Sequence, residues 1–367
     1  MLNKSLALMA LTGVVSLFPS NSQDQAYFAI LAETKVGRMA GMPAMDLSGL
    51  PPGIKLPPQA MMFSGKPSRI LNVRLWSPTI APANATASVV PPAGLKQGNK
   101  LDLELYRPDA SGNTGKVQGF DPDANPEKFT IKIYWGSSET VREGQPKVMT
   151  WNNFTPEQRE AMRNGAREAQ AGNTSYYYKA GWTTGFWPTK AQPGNIVDDA
   201  SLTGKYSLTT NYTGNVDIEA PTEVTFLPGI LMSSPNLDKK IDLKKSINFE
   251  WGQITNALGL NASAMGMEGQ NTLIIWSSSE VFSEGLAGDM GFLQMAEVKE
   301  NVAKTMFMEG NRTKVSIPAG IFENADFAML TMAGYGPGAA LEKGQPLPRI
   351  QTKTSLMLML GGKKMRF

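Results

Sequence analysis

The sequence predicts an all-β protein of two tandem sandwich modules related by duplication. Short apolar segments alternate with turn residues, which include 36 glycines and 25 prolines. One segment of the first half recurs in the second half, and 367 residues are enough to bury more than one core. Short strands joined by many turns are typical of sandwiches, not of helical bundles.

The duplication is read from two matching segments, IKIYWGSSETVREG at 131–144 and TLIIWSSSEVFSEG at 272–285. Trp135 and Trp276 lie 141 residues apart, and the serines, glutamates and final glycines match at the same spacing. A period of this length indicates a duplicated domain and not a solenoid unit. We predict that the two tryptophans are equivalent core anchors of the two modules.

Each module is predicted to contain several strands and one short helical insertion. Thr155 and Pro156 begin the first helix with a capping hydroxyl and a first-turn proline, and the second helix begins near Ala296. In strand length, turn spacing and the placement of a Trp on a central strand, the modules resemble immunoglobulin-like or fibronectin-like sandwiches. The predicted strands are 70–76, 100–106, 129–135, 206–212 and 216–219, then 224–227, 247–251, 272–276, 313–317, 327–332 and 355–360.

The chain divides into four predicted segments. Residues 1–22 have a basic start, a short apolar run and small residues after it, which predicts a bacterial-type signal peptide and a secreted, periplasmic or cell-surface protein. Residues 23–62 are rich in Pro and Met and are predicted to be an arm or linker. Module 1 covers 63–220, with the helix and an aromatic insertion, and module 2 covers 221–367. The mature chain is predicted to have no transmembrane span.

Composition removes several function classes. The chain has no Cys and no His, so it has neither disulfides nor a Ser-His-Asp triad nor an imidazole zinc site. The net charge of +3 comes from scattered basic residues, which argues against nucleic-acid binding. The glutamates of the repeat, Glu139 with Glu143 and Glu280 with Glu284, could form acid pairs, but their place before a glycine favours solvated turns.

Two metal sites are candidates. Asp121, Asp123, Asn125 and Glu127 alternate as calcium ligands do, although Pro126 and Lys132 depart from an EF-hand loop, so a plain turn is the alternative. The plain turn is favoured, so no cofactor is expected, and calcium is the alternative. Copper is the second candidate metal, through thioether ligands in the Pro-rich arm; the residues are Met39, Met42 and Met45.

An aromatic run occurs in the first module where the second has no counterpart. These rings could stack on sugars or pack on another subunit, and if buried they would cap the first sandwich. The residues are Tyr176, Tyr177, Tyr178, Trp182, Phe186 and Trp187.

The sequence therefore favours an exported, non-enzymatic structural, surface or assembly protein. Its expected partners are other copies of itself or cell-surface proteins, with glycans as a further class. A carbohydrate-binding module or hydrolase that uses the aromatic run is one alternative, and a Met-rich copper-handling periplasmic protein is another.

Overall fold

Three β-sheets make up the part of the chain that the computed structural model describes, residues 25–44, 63–107, 129–156, 159, 182–194, 196–269, 271–282 and 293–363. The large sheet has twelve strands among these residues. In spatial order they are β5 (Glu104–Tyr106), β8 (Thr183–Trp187), β2 (Ser68–Ser77), β1 (Tyr27–Met39), β19 (Leu347–Gly361), β17 (Phe327–Tyr335), β13 (Gly259–Glu268), β14 (Thr272–Ser277), β6 (Thr130–Trp135) and β7 (Lys147–Thr150), with β15 (Met308–Glu309) beside β13 and β18 (Ala339–Ala340) beside β19.

Two smaller sheets complete the fold. The four-stranded sheet is β10 (Val216–Ala220), β9 (Gly204–Thr210), β3 (Ala87–Val90) and β4 (Leu101–Asp102). The three-stranded sheet is β11 (Met232–Ser234), β12 (Ile247–Trp251) and β16 (Lys314–Ile317).

Both smaller sheets cover the same face of the large sheet. On β19, Ile350 packs in the core under the four-stranded sheet, whereas Leu356 and Leu358 pack in the core under the three-stranded sheet. Side chains an even number of residues apart on a strand point to one face. The molecule therefore has two sandwich-like halves that share one continuous sheet, and the all-β prediction is confirmed.

Strand β1 corrects the predicted arm. The sequence predicts a linker over 23–62, but 27–39 form the strand between β2 and β19, and its whole length pairs in parallel with β19. Phe28 and Ile30 are completely buried on the sandwich side. The neighbouring prolines are typical of an extended linker, yet the continuous apolar run at 26–32 before them is typical of a strand that is buried on both faces.

The large sheet takes strands from both predicted modules. β6 and β7, from the first half of the sequence, lie beyond β14 at the end formed by the second half. The boundary near Pro221 thus does not separate two sheets. Most predicted strands are confirmed, including 247–251 residue for residue, but 224–227 is wrong: these residues are not in a strand, although Val224 and Leu227 are buried in the core.

Helix α1 (Met295–Ala303) begins one residue before the position that the sequence indicates. The Gln294 backbone N–H donates to the Glu297 carboxylate at 2.6 Å, which completes a capping box with Gln as the cap. Val298 packs with Ala333 and Tyr335 on the face of the large sheet opposite the two smaller sheets. No helix among the described residues is both long and apolar enough to cross a membrane.

A buried tyrosine, Tyr206, and a half-buried one, Tyr212, are expected to make the fold sensitive to alkali. Burial raises the pKa of Tyr206, whose hydroxyl donates to the Leu202 carbonyl at 3.0 Å, and raises the pKa of Tyr212 to about 12. In the unfolded chain both phenols ionise at pH about 10. Below that pH both states keep their protons, whereas above it the unfolded state loses them first, so stability falls.

We therefore expect the urea midpoint to fall as the pH rises above about 10, and that of Tyr206→Phe to fall less steeply than that of the wild type over the same range. Tyr206→Phe also loses the hydrogen bond to Leu202, which lowers its stability at pH 8 by about 1 kcal/mol. The informative quantity is therefore the slope of the urea midpoint against pH. Tyr106→Phe, at an exposed strand position, is the control. Equal slopes for the wild type and Tyr206→Phe would contradict the role of Tyr206.

Candidate functional site

The two copies of the repeated segment lie side by side at one end of the large sheet. β6 and β14 pair in parallel, with Trp276 opposite Tyr134 and Ser277 opposite Trp135. Because the register is one residue off the sequence match, the two tryptophans point to opposite faces. Trp276 is fully buried, and its indole N–H donates to the Gly136 carbonyl at 3.1 Å. A side chain of the second segment is thus hydrogen-bonded to the backbone of the first.

The turns that follow β6 and β14 share a hydrogen-bond pattern. The hydroxyl oxygens of Ser137 and Ser278 each accept from a backbone N–H of an adjacent strand at 3.0 Å. The next serine in each copy, Ser138 or Ser279, donates to a backbone carbonyl two residues on at 2.8 Å. The matched serines thus have the same structural role in both turns.

The two turns differ where the sequence has Gly136 in place of Ser277. Gly136 has a φ of +89°, and an added Cβ would lie 2.3 Å from the guanidinium carbon of Arg142. A glycine therefore lets Arg142 cross the first turn and reach the Glu280 carboxylate at 2.6 Å. This ion pair joins the two turns directly.

The repeat glutamates act as structural acceptors among the described residues. Glu139 accepts from the Asn248 side-chain amide at 3.0 Å, and Glu280 accepts from Arg142 and, at 3.3 Å, from the Ser137 backbone N–H. Glu143 lies on an exposed turn, and Glu284 lies outside the described residues. For the three glutamates that are described, the geometry supports the solvated-turn interpretation.

In the part of the chain that the structure describes, strand β7 is the outermost strand of the large sheet beside this site. The Gln145 side chain hydrogen-bonds to both the N–H and the C=O of Trp135, so these backbone groups point towards β7. Backbone direction alternates along a strand, so Ile131 and Ile133 of β6 also point towards β7. Lys147 and Met149 face those residues, so the N–H and C=O groups of Val148 point away from β6. The Val148 side chain is 50% exposed.

The aromatic run is largely core where it is described. Trp182 packs with Tyr27 and Trp76, and Trp187 is 1% exposed, with its indole N–H donating to Gln192 at 3.1 Å. Phe186 is half-buried under the Arg74 guanidinium. Neither tryptophan presents a ring for a sugar to stack on. Residues 176–178 lie outside the described residues.

Most of the predicted metal ligands lie outside the described residues. All four calcium candidates, residues 121, 123, 125 and 127, lie outside the described residues, as does Met45. Met39 is half-buried in the core on the outer face of the large sheet, whereas Met42 is exposed on the turn after β1. Within the described part of the chain, acidic side chains form no group of three or more that could hold a metal ion.

A small cavity lies beneath the start of α1. It is lined by Leu31, Met295 and Tyr335 with Gln351 and Lys353, and its volume of about 10 Å³ has room for about one water molecule. The buried Oε1 of Gln351 has no hydrogen-bond partner, and a water here would satisfy it. The cavity is too small for a sugar.

No protein-family model matches this chain, and no curated protein matches it. The functional interpretation therefore depends on the geometry of the molecule itself.

Sequence reasoning missed that β7 lies at the edge of the large sheet among the described strands. The four residues of the strand do not alternate between apolar and polar side chains, and only Met149 is partly buried. The turn residues before it, Gly144 to Pro146, are the one local signal of a hairpin. That β7 ends a sheet depends on which strand lies beyond β6, and spacing along the chain does not reveal this.

Proposed function

We propose that this chain is an exported structural or assembly protein that associates with other copies of itself through the β7 edge. The observation that carries the proposal is the outward-facing backbone of Val148 on the strand that, among the described residues, ends the large sheet. An edge strand with unpaired backbone groups is a template for a further strand. Export is supported by the pattern of residues 1–22.

The surroundings of the edge favour a protein partner. Val141 and Val281, on the two turns next to the edge, are 38% and 41% exposed, and Val148 on β7 is more exposed still. An apolar rim beside open backbone groups suits burial against a matching surface. Two β7 strands meeting antiparallel about a two-fold axis would extend one sheet through both copies.

Light scattering after size exclusion tests this proposal on the chain that begins at Gln23. We expect the mass to rise with protein concentration, and Val148→Pro to keep it at the monomer value, because proline removes the outward N–H without breaking a bond to β6. Val148→Thr keeps both the N–H and the branched shape and should still associate. A wild-type monomer at every concentration would refute the proposal.

The finer description of the fold, two immunoglobulin-like modules related by duplication, is also a proposal. This description is supported by hydrogen bonds that the two segments have in common. Ser137 and Ser278 accept equivalent bonds, and Ser138 and Ser279 donate equivalent bonds. β6 and β14 run parallel, and their matching residues point to opposite faces of the sheet. A two-fold axis parallel to the strands would relate two segments in the same way. One ancestral segment that paired with its own copy would explain this arrangement.

A further inference from the structure

Four methionines lie in a row across four neighbouring strands of the large sheet. In the strand register, Met39 of β1 is opposite Met359 of β19, Met359 is opposite Met329 of β17, and Met329 is opposite Met265 of β13. Directly opposed residues project from the same face. All four side chains belong to the core on the face opposite the two smaller sheets. We call them the methionine row.

We propose that the methionine row binds a monovalent soft cation, Cu(I), through its thioether sulfurs. Thioethers are soft neutral ligands that select Cu(I) over hard cations. Neighbouring strands are about 4.8 Å apart, and the methionine side chain has three rotatable bonds, so sulfurs on adjacent strands can converge on one ion. The ion would lie above Met359 or Met329, held by that sulfur and by the sulfurs of its two neighbours in the row, since the row is too long for one ion to reach all four.

The composition offers no soft side-chain ligand other than methionine. With no Cys and no His among the 367 residues, thioethers are its only soft side-chain donors. Met357 and Met267 lie two residues from the row on β19 and β13 and belong to the same core. The row joins Met39 to methionines that resemble ordinary core residues when only the sequence is read.

The row also has a route from the surface. Met265, Met329 and Met359 are buried, Met39 at the end of β1 is half-buried, and Met42 on the following turn is 39% exposed. The Ala40 N–H donates to the Met359 carbonyl at 2.8 Å, which fixes this turn against the row. An ion could therefore pass from the exposed turn to the buried sulfurs.

Packing alone is the competing explanation, since methionines also fill irregular cores and contact aromatic rings. Met332 provides the comparison, because it lies on β17 as Met329 does but points to the opposite face, where it is fully buried in the sandwich core. Substitution of Leu for Met conserves volume and is tolerated in cores. Packing makes the two positions equivalent, whereas ligation does not.

The test is a competition for Cu(I) between the purified protein and a chromophoric Cu(I) chelator, carried out in oxygen-free solution. We expect the protein to withdraw about one ion per chain, the double variant Met329→Leu and Met359→Leu to bind at least tenfold more weakly, and Met332→Leu to bind as the wild type does. Met42→Leu should also retain binding. Far-UV circular dichroism confirms that each variant is folded.

Ag(I) added to protein with labelled methionine methyl groups provides a second readout that needs no substitution. The methyl signals of the methionine row should shift, and that of Met332 should not. The proposal is overturned if the wild type withdraws no Cu(I), if the double variant binds as tightly as the wild type, or if Met332→Leu weakens binding equally. Association through β7 is a separate property, so Val148→Pro should bind Cu(I) normally.

Discussion

A chain that begins at Phe63, and therefore lacks β1, is expected not to fold. β1 pairs with β2 on one side and with β19 on the other, so its removal separates the sheet strands of the two halves. Four of its apolar side chains are almost fully buried: Phe28, Ile30, Leu31 and Val36. Their burial contributes roughly 6–12 kcal/mol, which is comparable to the whole stability of a typical domain.

Circular dichroism and urea titration measure this outcome, with the chain that begins at Gln23 as the folded control. A synthetic peptide of residues 25–44, added in trans, should restore structure to the truncated chain. A cooperative transition of the truncated chain at the wild-type urea midpoint would show that β1 is dispensable after all.

Ile30→Asp in the full chain tests the same strand without a deletion. It would place an unpaired carboxylate at a fully buried position, which is expected to cost more than about 4 kcal/mol. Lys35→Gln on the same strand is the control, because the Lys35 side chain is half-exposed and lies 3.6 Å from the Glu33 carboxylate. The buried Glu33 carboxylate keeps its hydrogen bond from the Ser355 hydroxyl at 2.6 Å, so Lys35→Gln should cost about 1–2 kcal/mol, well below Ile30→Asp.

Trp276→Ala is expected to lower the free energy of unfolding by about 3–5 kcal/mol. The side chain fills the core beneath the three-stranded sheet, and its N–H is bonded to the Gly136 carbonyl. The substitution therefore leaves a cavity and also weakens the attachment of β6 to β14. Trp276→Phe keeps a ring but loses the bond and should cost less, which separates the two contributions.

Trp135→Ala is the matched comparison for Trp276→Ala. Trp135 is half-buried on the opposite face, where its ring lies 4.9 Å from that of Phe282. Urea denaturation of the three variants should rank Trp276→Ala as the most destabilised. If the two alanine variants lost equal stability, the tryptophans would be the equivalent anchors that the sequence predicts, and the difference in their burial would have no energetic weight.

The class of fold and many of the local elements follow from short stretches of sequence. Alternation of apolar and polar residues in segments such as 247–251 is a property of consecutive residues, so it specifies a strand with one buried face. The matching segments around Trp135 and Trp276 likewise predict two similar turns. The absence of Cys and His is a property of composition, and it narrows the chemistry of the chain whatever its fold.

Which strands are neighbours follows only from the folded core. A period of two residues states which face of a strand is buried but not which strand lies beside it. The position of β1 between β2 and β19, the outward backbone of Val148 and the methionine row all depend on pairings between residues far apart in the chain. Such pairings are selected by the packing of the complete core, so the candidate sites exist only when that core is assembled.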